Sequence, residues 1–277
     1  MALKDILVHV DGSRAMPGRL AAAAALARAH DAHLTGVHVM QIPVLPTYAE
    51  VHIPADIIEA QHEAFARTAS AVREQFEKST ARAGINAEWR CIEGGLTDTL
   101  ALNARYADLL VVGQADPSDP RCVSRGLADR LALECGRPVM VMPAAGMQAP
   151  IGRNVVVAWD ARREAARAVG DAMPLLETAE RVTVVTINAS RADPENAGLP
   201  AADICLHLAR HGIETRAENL FGAPAGVGAQ LLDAARDAQA DLLVMGAYGH
   251  ARFRELVLGG VTSHVLSHTH IPVSLSH

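Results

Sequence analysis

Four cysteines are spread through the 277-residue chain, and no two of them form a Cys-x-x-Cys pair. Cys91, Cys122, Cys135 and Cys205 therefore supply neither a disulfide framework nor a thiolate zinc site, and they read as small buried residues of a reducing compartment. No lysine and arginine run interleaved with aromatics occurs, and the net charge of -6 with a pI near 6.1 is mild. A nucleic-acid surface is not expected. No stretch approaches membrane-spanning length, and the first ten residues carry Asp5 and an apolar run too short for a signal peptide, so no membrane partner is expected and a cytoplasmic location is. Nor does the chain assemble a Ser-His-Asp or paired-carboxylate set, so no general base and no catalytic residue is nominated. What is abundant is apolar: hydrophobic residues make up 50% of the chain, enough for the core of one large domain or two ordinary ones.

Laid against itself, the chain repeats. Lys4-Asp-Ile-Leu-Val-His-Val-Asp11 matches Arg153-Asn-Val-Val-Val-Ala-Trp-Asp160, a strand ending in aspartate each time. Asp108-Leu-Leu-Val-Val-Gly113 matches Asp241-Leu-Leu-Val-Met-Gly246, and Arg137-Pro-Val-Met-Val-Met142 matches Ile271-Pro-Val-Ser-Leu-Ser276. Three strands recurring in one order are a duplication. Residues 143–152, rich in proline, glycine and small side chains, suit a linker between domains 1–143 and 152–277.

Each copy alternates short β-branched runs with helical patterns. Strands are expected over 3–10, 33–40, 86–92, 108–113 and 138–142, then 154–159, 181–187, 213–219, 241–246 and 271–276. Helices of the first copy are expected over 14–30, 57–83, 96–106 and 121–135. This alternation implies right-handed βαβ crossovers and an α/β fold: two tandem, doubly wound, five-stranded parallel-sheet domains. Ligands of such folds sit outside the carboxyl ends of the strands, where neighbouring crossovers diverge. Asp160 ends the first strand of the second copy, and Gly246-x2-Gly249-x9-Gly259-Gly260 follows its fourth. Gly246 and Gly249 would let main-chain amides approach a phosphate, and Gly259-Gly260 would open a helix whose first turn offers free N–H groups and the Thr262 hydroxyl. The same glycines could equally serve only to turn the chain, and spacing does not separate the two readings.

The whole chain, in two copies, resembles a tandem universal stress protein. Asp11-Gly12-Ser13 matches that family's Asp-Gly-Ser, and Gly246-x2-Gly249-x9-Gly259-Gly260 matches its nucleotide loop. The resemblance implies a fold similar to flavodoxin and to the adenine-nucleotide α-hydrolases. It implies binding of ATP, an adenine nucleotide, with or without Mg2+, and action by binding and signalling with hydrolysis slow or absent. Adenine and ribose contacts would fall on Ala158, Trp159, Asp160 and Ile187. Phosphate contacts would fall on Met245, Gly246, Tyr248, Gly249, Gly259, Gly260, Val261 and Thr262. One departure is Gly260, where nucleotide-binding members carry serine or threonine. The first copy departs further: its loop reads Gly113-Gln-Ala-Asp116-Pro117, with an aspartate in place of the second glycine and a proline that donates no hydrogen bond. One nucleotide per chain, in the carboxy-terminal half, is therefore expected. The competing readings are a structural or interaction module with a vestigial loop, and an enzyme of the nucleotidyl-transfer type.

Other candidates are thinner. His264, His268 and His270 read as surface histidines at a helix end, not as a zinc site, since no carboxylate or cysteine stands near them in sequence. Gly222-Ala-Pro-Ala-Gly226-Val-Gly228 lacks the Lys-Ser/Thr of a Walker loop and reads as a cap for the following helix. Residues 41–60 hold three prolines and read as an irregular apolar loop that leads into the helix over 57–83 and packs over the sheet's edge, the alternative being a flap over an apolar pocket. The fifth strand of each copy should be a sheet edge, which pairs readily; the resemblance, to a family whose edges pair between subunits, implies that Val139–Met142 pairs with Val273–Ser276 within the chain. That arrangement is an intramolecular pseudo-dimer and leaves further homodimerisation open.

Overall fold

The structure is a computed structural model and describes residues 2–41, 55–122, 126–146, 150–188, 200–222, 225–248 and 260–277. The apolar proline-bearing loop falls mainly on 42–54, outside the described residues.

The amino-terminal half runs β1 (Asp5–His9), α1 (Met16–His30), β2 (His33–Met40), α2 (Ala55–Ala83), β3 (Ala87–Glu93), α3 (Leu96–Ala104), β4 (Leu109–Gly113), α4 (Leu127–Glu134) and β5 (Val139–Met142). The carboxy-terminal half repeats the order: β6 (Asn154–Ala158), α5 (Arg163–Leu176), β7 (Arg181–Ile187), α6 (Pro200–Arg210), β8 (Thr215–Leu220), α7 (Val227–Asp237), β9 (Leu242–Gly246), α8 (Gly260–His268) and β10 (Val273–Ser276). Most boundaries lie within a few residues of expectation. Helix α4 does not: it was expected from 121 and starts at Leu127, after Gly126 at φ 83. Arg121 and Cys122 instead close a turn on Asp119, whose carboxylate and carbonyl accept their N–H groups at 3.1 and 3.0 Å.

All ten strands form one sheet in the order β3-β2-β1-β4-β5-β10-β9-β6-β7-β8. Pairing within each half is parallel, and the seam between β5 and β10 is antiparallel, with Val141 opposite Val273 and Val139 opposite Leu275. The expected intramolecular pairing is present, and each half uses the other to cover its otherwise open edge.

Alternation along the strands divides the core in two. Ile6 and Val8 of β1 join one layer with α1, α2, α5 and α6, whereas Leu7 faces the layer of α3, α4, α7 and α8. The crossover after β1 therefore leaves toward one face and the crossover after β4 toward the other. The same divergence occurs between β6 and β9, and these two points are the ligand clefts of the doubly wound plan.

Two side chains stitch the halves across the seam. Gln114, just past β4, donates through Nε2 to the Leu266 and Thr269 carbonyls at 2.9 and 3.4 Å and accepts the Ala144 N–H at 2.8 Å. Tyr248, just past β9, returns the gesture by donating its hydroxyl to Asp129 on α4. Each tie starts from the loop that leaves a switch point.

Candidate functional site

In the carboxy-terminal half β6 pairs with β9 in parallel, Val157 opposite Val244, so Asp160 and the glycine loop leave the sheet side by side. Trp159 donates its N–H to Val185 at 2.9 Å, which carries the ladder one residue past β6. Ala158 and Ile187 are partly buried and rest against the α7 and α8 core, a small apolar ledge at the strand ends. The Trp159 ring rests against the other core, under α5 and α6, so its side chain is not brought together with Ala158 and Ile187. Asp160 is exposed, and its Oδ1 accepts the Arg162 N–H at 3.0 Å. Ala161 takes φ 61 in that turn, the left-handed region in which a Cβ is crowded.

The phosphate side of the site has a more mixed character. Met245 is buried with its side chain in the core, leaving only its main chain for a ligand. A Cβ on Gly246 would lie 2.6 Å from the Ala165 nitrogen and 2.6 Å from the Glu164 carbonyl carbon. Glycine is required there because the first turn of α5 packs directly on the end of β9. Glu164 is buried and bonded to Arg163 Nε. Burial pushes its carboxyl up, but Arg163 and its own N–H outweigh burial and hold it below the usual range. Beyond Gly246, the Ala247 N–H donates to Ser276 at 2.8 Å and His277 Nδ1 stands 2.9 Å from the Ala247 carbonyl.

Tyr248 takes φ 61, and burial, then the Asp129 partner, pushes its phenol well above the ordinary range. With its hydroxyl engaged by the other half, Tyr248 retains its main chain for a ligand. Gly249 and Gly259 lie outside the described residues. Gly260 opens α8 with nothing within 4 Å of where a Cβ would sit. Val261 is partly buried against the core, and Thr262 is buried in the first turn.

The amino-terminal switch point is built from the same turn and filled differently. Asp11 Oδ1 accepts the Ser13 N–H and hydroxyl at 3.0 and 2.5 Å, matching the Asp160–Arg162 turn. Arg19, 1% exposed, reaches inward from α1, pairs with Asp11 Oδ1 at 2.7 Å and donates to the His9 carbonyl at 3.0 Å. Its Nη1 lies 2.2 Å from where a Cβ on Gly113 would stand, so the guanidinium occupies the space that α5 backbone fills beside Gly246. Burial raises the Asp11 pKa, but Arg19, His9 and Ser13 together bring it below the ordinary value. Burial also lowers the His9 pKa to about 3, keeping the imidazole neutral.

Sequence reasoning passed over Arg19, and one signal pointed to it. It stands four and eight residues before Ala23 and Ala27, on the core face of an alanine-rich helix. The remaining candidates lie on or beside α7 and α8. Gly226 caps α7 at φ 92. His264 and His268 stack at 4.3 Å with His268 Nδ1 against the His264 carbonyl, and among the described residues no group of three metal-ligating side chains occurs. No described helix is long and apolar enough to cross a membrane.

A sequence profile described as the Universal stress protein family matches residues 2–143 and again 152–277. The chain belongs to the universal stress protein family. Among curated members, Universal stress protein Slr1230 of Synechocystis sp. is 37% identical over 91 residues, which is 32% of this chain and 30% of that protein. That match thus spans under a third of the relative's length. Among solved structures, a universal stress protein from Archaeoglobus fulgidus superimposes with TM-score 0.74 at 15% identity, covering 98% of this chain and 95% of that one. A putative universal stress protein from Pseudomonas aeruginosa gives TM-score 0.59 at 14% identity, covering 99% and 93%. At such identities these two establish the fold, a tandem pair of universal stress protein domains. This member is thus a stress-response protein by family, with two copies of the family unit in one sheet.

Proposed function

We propose that this universal stress protein binds one ATP with Mg2+ in its carboxy-terminal half and acts through the bound state, with little or no hydrolysis. Adenine would rest on Ala158 and Ile187, Asp160 would accept from the ribose, and the main chain at Trp159 would complete that side. Phosphates would take main-chain groups of Met245, Gly246, Tyr248, Gly249, Gly259, Gly260 and Val261, with the buried Thr262 hydroxyl in the same helix turn. The supporting observation is the adjacency of β6 and β9, which sets an exposed carboxylate and an apolar ledge beside the glycine loop. The reading sets the protein in the cytoplasm, and leaves the pseudo-dimer free to pair again.

One observation favours a second reading. Gly246 is explained by the approach of α5 with no ligand at all, as a vestigial loop in an interaction module would be. Calorimetric titration of nucleotide-stripped protein with ATP and magnesium separates the two. A single saturating site supports binding; no heat and no thermal shift at millimolar ATP would leave the interaction module.

A further inference from the structure

The loops that meet at the amino-terminal switch point are tied by one carboxylate. Asp119, 4% exposed, sits in the loop after β4. Its Oδ2 accepts the Arg14 N–H at 2.6 Å and its Oδ1 accepts the Arg121 N–H at 3.1 Å. The Nε atoms of Arg14 and Arg121 stand 3.7 and 3.6 Å from the same carboxylate. Arg14 belongs to the loop after β1, directly beyond Asp11-Gly12-Ser13, and Arg121 Cδ lies 3.8 Å from where a Cβ on Gly12 would be. Since β1 and β4 are paired neighbours, this carboxylate bridges the cleft of the amino-terminal half.

The donors around Asp119 are those that recognise a small oxyanion: two converging main-chain N–H groups flanked by two guanidinium groups. Arg14 N–H foremost, with burial opposing and Arg121 assisting, holds the Asp119 carboxyl below the ordinary range, so it is an anion at neutral pH. Asp116, which stands in place of the second glycine of the loop, is engaged in its own turn, where Oδ1 accepts the Ser118 N–H and hydroxyl at 2.8 and 2.7 Å.

We infer that the amino-terminal half contains a small-oxyanion site, of the size of a carboxylate or phosphate, whose permanent ligand is the chain's own Asp119. The half is self-occupied: Asp119 takes the anion position, while Arg19 takes the space beside Gly113 and engages Asp11. One copy of the duplicated unit is thereby held closed by its own side chains. The inference stands apart from the nucleotide reading of the other half, and its test contains no nucleotide.

Removing the side chain at 119 deletes the acceptor and neither main-chain donor, so an external anion that bridges the Arg14 and Arg121 N–H groups can restore the turn. The experiment is thermal melting of the full chain and of Asp119→Ala and Asp119→Asn, in acetate and in chloride at matched ionic strength. Asp119→Ala should melt several degrees below wild type in chloride and recover most of that loss as acetate is raised. Wild type and Asp119→Asn, whose side chains fill the site, should respond alike to the two salts. The inference is overturned if Asp119→Ala melts with wild type, or if acetate does not restore it. Should the alanine variant not fold, Asp119→Asn decides: it keeps the shape and one acceptor, so it should melt below wild type, and melting at or above wild type overturns the inference.

Discussion

Replacing Gly246 by alanine separates packing from ligand binding in the glycine loop. The added Cβ would stand 2.6 Å from two main-chain atoms of α5 and 2.8 Å from Glu164 Cβ, where ordinary contact begins at 3.4 Å. The shortfall falls on helix backbone, which cannot rotate away as a side chain would, so α5 must shift bodily against β9. Overpacking of this kind costs about 1–3 kcal/mol. Both units of the chain are shorter than the 150–250 residues for which each kcal/mol lowers Tm by roughly 2–4 °C, so a fall of at least roughly 2 °C is expected. The assay is differential scanning calorimetry of Gly246→Ala and wild type, both stripped of nucleotide. A variant that melts with wild type while losing ATP binding would refute the packing argument and make Gly246 a ligand residue alone. Gly246 substitutions therefore perturb packing and are no clean probe of binding.

Three further outcomes follow from the geometry. Gly260→Ser has open space around its Cβ and supplies a hydroxyl to the first turn of α8; one added hydrogen bond of about 0.5–1.5 kcal/mol should tighten ATP roughly two- to twelvefold by calorimetry. Tyr248→Phe removes the donor to Asp129, which is 6% exposed; leaving that acceptor short costs about 1–3 kcal/mol, read as lower stability in chemical denaturation of the nucleotide-free chain. His9 has a folded pKa of about 3, below its ordinary 6.5, so the unfolded chain binds the extra proton between those values. Its contribution to stability is present above pH 6.5 and is lost on acidification toward 3. His9→Gln should flatten the fall in Tm across that window.

The duplication, the strand order and the seam were legible because parallel strands buried on both faces are near-continuous apolar runs, and the two copies of each run can be aligned. The pairing of Val139–Met142 with Val273–Ser276 followed from the family resemblance, applied to the edge strands of two equivalent sheets. The start of α4 was not legible, since the turn at 119–122 depends on Asp119 capping main-chain groups, not on periodicity. Arg19 was overlooked because an arginine on a helix is ordinarily solvated; its inward course requires Asp11 and the His9 carbonyl, partners 8 and 10 residues away. Gln114 and Tyr248 lie where the family resemblance directs attention to phosphate, yet their side chains reach across the seam. No local pattern encodes that, because the acceptors belong to the other half. Gly246 shows the same limit from the opposite side: the spacing marked the glycine, and only the approach of α5 reveals one reason for it.

The central claim is asymmetric occupancy, one adenine nucleotide in the carboxy-terminal half and none in the self-filled amino-terminal half. Photolabelling the nucleotide-stripped chain with an azido-adenine analogue of ATP, followed by mass-spectrometric mapping of the labelled peptides, tests it directly. The account predicts ATP-protectable label on peptides containing Ala158–Asp160 or Ile187. Protectable label on the Asp11 or Gly113 peptides, or no protectable label anywhere, would contradict it.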